Sequence, residues 1–104
     1  MSLVVIAHIR AKEGQEAAVE EALSALVLAS HDEEGCIAYA LHRNVEDPRD
    51  FSTVEQWASP EAIGAHFETD HLKAVLARAE ELLDGAPDIR TYSAIPVGGD
   101  KGAL

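Results

Sequence analysis

The chain has one cysteine, Cys36, and one tryptophan, Trp57, and its eight Lys and Arg are outnumbered by nineteen Asp and Glu. A lone Cys excludes an internal disulfide framework. The formal charge of −11 repels phosphate backbones and anionic lipid, which argues against nucleic-acid and membrane-surface roles. No apolar run approaches the roughly 20 residues that a membrane-spanning helix needs. The opening MSLVVIAHIR lacks the basic start and small-residue cleavage site of a secretory leader. A cytoplasmic protein is therefore expected. Phosphate-cradling glycine loops and the strand-to-helix serine elbow are also missing from the sequence, so nucleotide cofactors and serine hydrolysis have no motif to rest on.

What is present is enough apolar sequence, 47% of 104 residues, for one modest core. A single domain over residues 1–96 is expected, followed by a flexible Gly-rich tail over 97–104. Residues 3–10, LVVIAHIR, alternate as a strand whose faces both begin apolar, so both need cover. Residues 15–30 carry Val19, Ala22, Leu23 and Leu26 on one helical stripe, with Glu16, Glu20 and Glu21 turned to water. Residues 36–43, CIAYALHR, alternate again. Ile37, Tyr39 and Leu41 fall on one face, and Cys36, Ala38, Ala40 and His42 on the other. The turn at Asp47-Pro48 leads to a third strand over 51–58, antiparallel to the second. Ser59-Pro60 starts a helix carrying Ile63, His66 and Phe67. Thr69-Asp70 starts a second one running to Leu83, with a stripe of Leu72, Val75, Leu76, Ala79 and Leu83. Residues 88–96 close the fold as a fourth strand.

The order β-α-β-β-α-β predicts a ferredoxin-like α+β fold, a four-stranded antiparallel sheet with helices on one face. Val4, Ile6, Cys36, Ala38 and Ala40 are then left on the uncovered face. The simplest cover is a second copy of the sheet, so a homodimer is expected.

Chemistry concentrates in FSTVEQWASPEAIGAHFETDH, residues 51–71. Period-two spacing puts Phe51, Thr53, Glu55 and Trp57 on one face. An indole beside a carboxylate reads as a pocket wall able to stack on a ring and donate to an oxygen; it reads equally as a core Trp with a satisfied Glu. His66 and His71 are candidates for acid–base work, His71 also for bracing its helix. Tyr39 is either a wall residue with a hydroxyl to offer or a core tyrosine. A metal pair is not assigned: a separation of five places two residues about 140° apart on a straight helix, and no nearby Cys or carboxylate completes a ligand set. Cys36 reads as a small buried hydrophobe. His31 reads as a solvated residue at a helix C-terminus.

Three motifs in this order, EEGCIAY at 33–39, F-x-x-x-E-x-W at 51–57 and H-x-x-x-x-H at 66–71, resemble the antibiotic biosynthesis monooxygenase family, and most of all its small quinol monooxygenases. The likeness runs from about Leu3 to Ile95. It implies ferredoxin-like subunits paired through their sheets. It implies oxidation of phenols or hydroquinones by molecular oxygen without metal, haem or flavin, hence no cofactor. Other members degrade haem, isomerise a small signalling molecule, or have no established substrate. The resemblance puts Trp57 in the active cavity. With His66 and His71 as catalytic candidates, Tyr39, Thr53, Glu55 and Phe67 become the expected substrate contacts. Thr53 departs from the Asn that some oxidative members carry four places before the Trp. The first strand has His8 and Ile9 where the haem-handling branch has an Asn. A dimeric protein that binds a small molecule without turning it over remains the alternative.

Overall fold

In the computed structural model, which describes residues 2–103, the alternating apolar stretches become four strands: β1 Leu3–Arg10, β2 Cys36–Arg43, β3 Asp50–Trp57 and β4 Asp88–Ser93. All neighbours are antiparallel, in the order β2-β3-β1-β4. Each half of the chain thus crosses over a strand of the other half. This is the expected ferredoxin-like arrangement, and the crossovers lay the helices on one face.

Helix α1, Glu16–His31, buries Val19, Leu23 and Leu26 against the sheet, as its stripe requires. Helix α2, Pro60–Phe67, begins where Ser59 accepts from the Ala62 N–H at 3.1 Å. Helix α3, Asp70–Ala77, begins where Thr69 accepts from the Leu72 N–H. Each cap satisfies an orphan donor of the first turn. The helix predicted to reach Leu83 in one piece is interrupted at Arg78. A short helix α4, Ala79–Leu82, follows. The interruption changes which residues face inward. Leu82 and Leu83 are buried, while Leu76 from the predicted stripe is half-exposed.

Two strand expectations change. The fourth strand ends at Ser93 rather than 96. In β2, Cys36 and Ala38 pair with the adjacent residues Trp57 and Gln56, which leaves Ile37 as an extra residue in a bulge. A bulge shifts the alternation that follows. Cys36 therefore packs against the same core as Tyr39, and Ile37 is 56% exposed.

Under the helices lie Val5, Ala7, Ile9, Phe51 and Trp57. The opposite face carries Val4, Ile6, Val54, Ala38 and Ala40 in adjoining registers. Here His8 and His42 flank Ser52, both exposed. The tail holds one 3-10 turn, Asp100–Gly102; Met1 and Leu104, the ends of the expected domain and tail, lie outside the described residues. Among the described residues no helix is long and apolar enough to cross a membrane.

Candidate functional site

Between the inner face of the sheet and the helices lies a hollow that opens to solvent, lined from α1, α3 and α4 and by His66 and Phe67 of α2. Its walls are mainly aliphatic: Val5, Ala7, Leu23, Leu26, Leu72 and Leu82 among them. A few polar side chains interrupt that lining: Tyr39, Thr53, Glu55 and His66 inside, with Arg78 also on the wall. An apolar hollow with a small number of convergent polar groups is the usual form of a small-molecule site. Phe67 is also a wall residue.

The polar groups belong to two linked networks. In the first, Glu55 is 4% exposed and accepts twice, from Trp57 Nε1 at 2.9 Å on one oxygen and from Thr53 Oγ1 at 2.8 Å on the other. Strict alternation along β3 brings all three to one face. Burial pushes the Glu55 carboxyl above its ordinary range, and the donors from Trp57 and Thr53 pull the other way. Burial first, and the Glu55 charge next, push the Tyr39 hydroxyl far above its usual range. It stays a neutral donor. The Cys36 thiol is also raised, by burial and then by Glu33 and Glu55, in keeping with a packing role rather than a nucleophile.

The second network centres on Glu33, in the turn between α1 and β2. Its Oε2 lies 2.8 Å from His66 Nδ1 and 2.7 Å from His71 Nε2. A carboxylate only accepts, so both ring nitrogens donate to it. His66 is 3% exposed, and among the described residues its Nε2 makes no hydrogen bond. Glu33 thereby fixes the tautomer and leaves Nε2 as the accepting nitrogen. The indole of Trp57 packs on this imidazole, with ring centroids 4.6 Å apart and tilted by 40°; Tyr39 stands 5.6 Å away.

The expected residues thus assemble in one neighbourhood with altered parts. Trp57 is fully buried, is not among the walls of the hollow, and has its N–H committed to Glu55. The expectation that it donates to a guest is corrected accordingly: it supports Glu55 and His66 from behind. His71 also lies off the hollow, bracing Glu33. His31 is exposed at the end of α1, as expected, and its Nε2 lies 2.9 Å from the Tyr39 carbonyl oxygen. The assertion that no carboxylate lies with His66 and His71 is overturned by Glu33. The 140° offset of a straight helix does not apply, because α2 ends and α3 starts anew between the two residues. Glu33 was missed because its contacts with them span 33 and 38 residues of sequence. Its local signal was its place at the head of EEGCIAY, two residues before Gly35, which names no partner.

Comparison with known proteins agrees with this architecture. The structure of PA3566 from Pseudomonas aeruginosa is 35% identical, with a TM-score of 0.83 over 88% of this chain and 93% of that one. A structure described as an antibiotic biosynthesis monooxygenase is 26% identical, with a TM-score of 0.84 over 90% and 99% of the two chains. Protein sll1783 of Synechocystis is 23% identical over 90 residues, which span 86% of this chain but only 61% of that protein. The family described as antibiotic biosynthesis monooxygenase matches residues 2–78, a stretch that includes Glu33, Tyr39, Thr53, Glu55, Trp57, His66 and His71, and the chain belongs to that family.

Proposed function

We propose that the chain is a cofactor-independent monooxygenase that oxidises a small aromatic hydroquinone or phenol with molecular oxygen, working as a homodimer paired through its sheets. The observation that carries this reading is His66: a buried imidazole on the wall of an apolar hollow, its Nδ1 tied to Glu33 and its Nε2 free to accept a proton. Family membership and the apolar lining of the hollow support it.

In this mechanism Nε2 of His66 removes a phenolic proton from the bound ring. Tyr39, held neutral, can donate to the phenolate oxygen, the kind of fixed donor that stabilises developing charge in a water-poor site. The electron-rich anion passes one electron to oxygen, and the resulting radical pair combines at a ring carbon. Loss of water from the hydroperoxide leaves one oxygen atom on the oxidised ring and the other in water. For a hydroquinone, substrate plus O2 yields a hydroxyquinone plus H2O, so the substrate supplies every electron. The aliphatic walls orient the ring and exclude bulk water.

Oxygen uptake by purified protein with a panel of hydroquinones and phenols tests this. His66→Ala should lower turnover by about 10²–10⁴-fold, the usual share of a general base. Unchanged turnover in that variant refutes the role of His66. Thermal stabilisation by a ring compound with no oxygen uptake would identify a binding protein instead.

A further inference from the structure

The Glu33, His66 and His71 cluster has a property that the proton-transfer scheme does not use. Two imidazole nitrogens from different helices and a carboxylate oxygen from a third segment meet at one point. Their ligand atoms all lie within 4.8 Å of one another, and Oε2 of Glu33 is 2.8 and 2.7 Å from the two nitrogens. We infer that these three side chains form a binding site for a divalent transition-metal ion of the zinc type, with two nitrogen ligands, one oxygen ligand and a fourth position left to water.

The donor set is borderline in hardness, which suits zinc, cobalt or nickel and disfavours magnesium or calcium, whose shells are built from oxygen. Tetrahedral zinc with ligand bonds near 2.05 Å separates its ligand atoms by about 3.3 Å. Each imidazole need retreat from Glu33 by only about 0.5 Å to admit the ion, a shift within side-chain reach. Solvent access is graded along the cluster. The His66 side chain is 4% exposed, Glu33 12% and His71 28%, so an ion enters from the His71 side and its open position faces water.

The three residues are already held. His66 is packed between Trp57 and Phe67, the Thr69 cap sets the start of α3 just before His71, and Glu33 sits in a turn fastened by its N–H donating to the Ser30 carbonyl at 3.0 Å. Binding exchanges one partner for another at each ring. The proton on His66 Nδ1 moves to Nε2, and the proton on His71 Nε2 moves to Nδ1, so two neutral rings lose no proton overall. A consequence for the proposed reaction, and one that rests on that reading, is that Nε2 of a metal-bound His66 carries a proton and no longer accepts one. Metal occupancy then turns the base off.

The site is tested without reference to activity by titrating the tag-free, metal-stripped protein with Co²⁺ and recording the visible d–d absorption. A binding isotherm with the intense bands of four- or five-coordinate cobalt is expected, displaced by Zn²⁺. Glu33→Gln and His71→Ala should each weaken it by about tenfold or more, while His42→Ala, on the opposite face of the sheet, should leave it unchanged. His71 is partly exposed, so its replacement keeps the core intact, and circular dichroism verifies this. Absence of the bands up to millimolar cobalt overturns the inference, as does an isotherm that survives both substitutions or is lost in His42→Ala. Inhibition of oxygen uptake by Zn²⁺ is a separate readout. Cobalt bands in a protein inactive on every ring compound would uphold the metal site and remove the proposed oxygenase.

Discussion

Glu33 accepts a hydrogen bond from Nδ1 of His66 at 2.8 Å across 33 residues of sequence. It joins the turn after α1 to the last turn of α2, and it assigns the two nitrogens of a buried ring to different tasks. The candidate base is therefore set by a residue outside the segment that carries the other polar groups.

Glu33→Gln tests that assignment. The Gln side chain nearly preserves shape but can turn its NH2 toward the ring, and the tautomer is no longer dictated. Turnover in the oxygen-uptake assay should fall by about 10–100-fold, the typical loss when the partner that orients a working histidine is removed. The binding of a ring compound, followed by thermal shift, should change little.

The buried Glu55 predicts a pH dependence of stability. Its folded-state pKa is raised above the ordinary 4.5 by burial, so between that value and the raised one the native state holds more protons than the unfolded chain. Stability then declines as pH rises through this window. Glu55→Gln keeps an acceptor for the Trp57 N–H and carries no charge. Chemical denaturation from pH 4 to pH 8 should show the decline in the native protein and a flatter profile in the variant, with the variant the more stable of the two at pH 8.

Gly35 holds the turn that presents Glu33. Its φ is +92°, and an added Cβ would lie 2.7 Å from Cβ of Ala62 on α2. Gly35→Ala faces both the left-handed backbone cost of about 1–2 kcal/mol and that clash. A loss of about 2–4 kcal/mol in urea unfolding is expected. The same change should pull Glu33 from His66 and lower turnover at temperatures where the protein remains folded.

The proposed sheet-to-sheet dimer makes its own prediction. Val54 lies between Ile6 and Ala40 in adjoining registers on the open face, at the centre of the apolar patch. Val54→Glu puts a charge where the partner would pack, and removing an uncompensated buried charge by dissociation is the cheaper course. Light scattering should show the native protein at twice the chain mass and the variant at the chain mass. A native protein already at the chain mass refutes the pairing.

The fold was legible in the amino-acid sequence because its signals are local. Alternation over 3–10, 36–43 and 51–58, the Ser59-Pro60 and Thr69 caps and the order of elements are all read within a few residues, and together they determine a ferredoxin-like sheet with helices on one face. The alternation of β3 likewise brought Thr53, Glu55 and Trp57 to one side. What the chain's one-dimensional pattern left undecided depended on contacts between distant segments. The extra residue Ile37 becomes evident only from β2 pairing with β3, and the interruption at Arg78 from how α3 and α4 meet the core. The Trp57 N–H turned inward to Glu55 because a buried carboxylate without donors is costly. Above all, the partner of His66 and His71 was fixed by folding. Helical spacing governs only residues on one helix, whereas α2, α3 and the α1–β2 turn are brought together by burying apolar side chains that say nothing about which polar groups will meet at their edge.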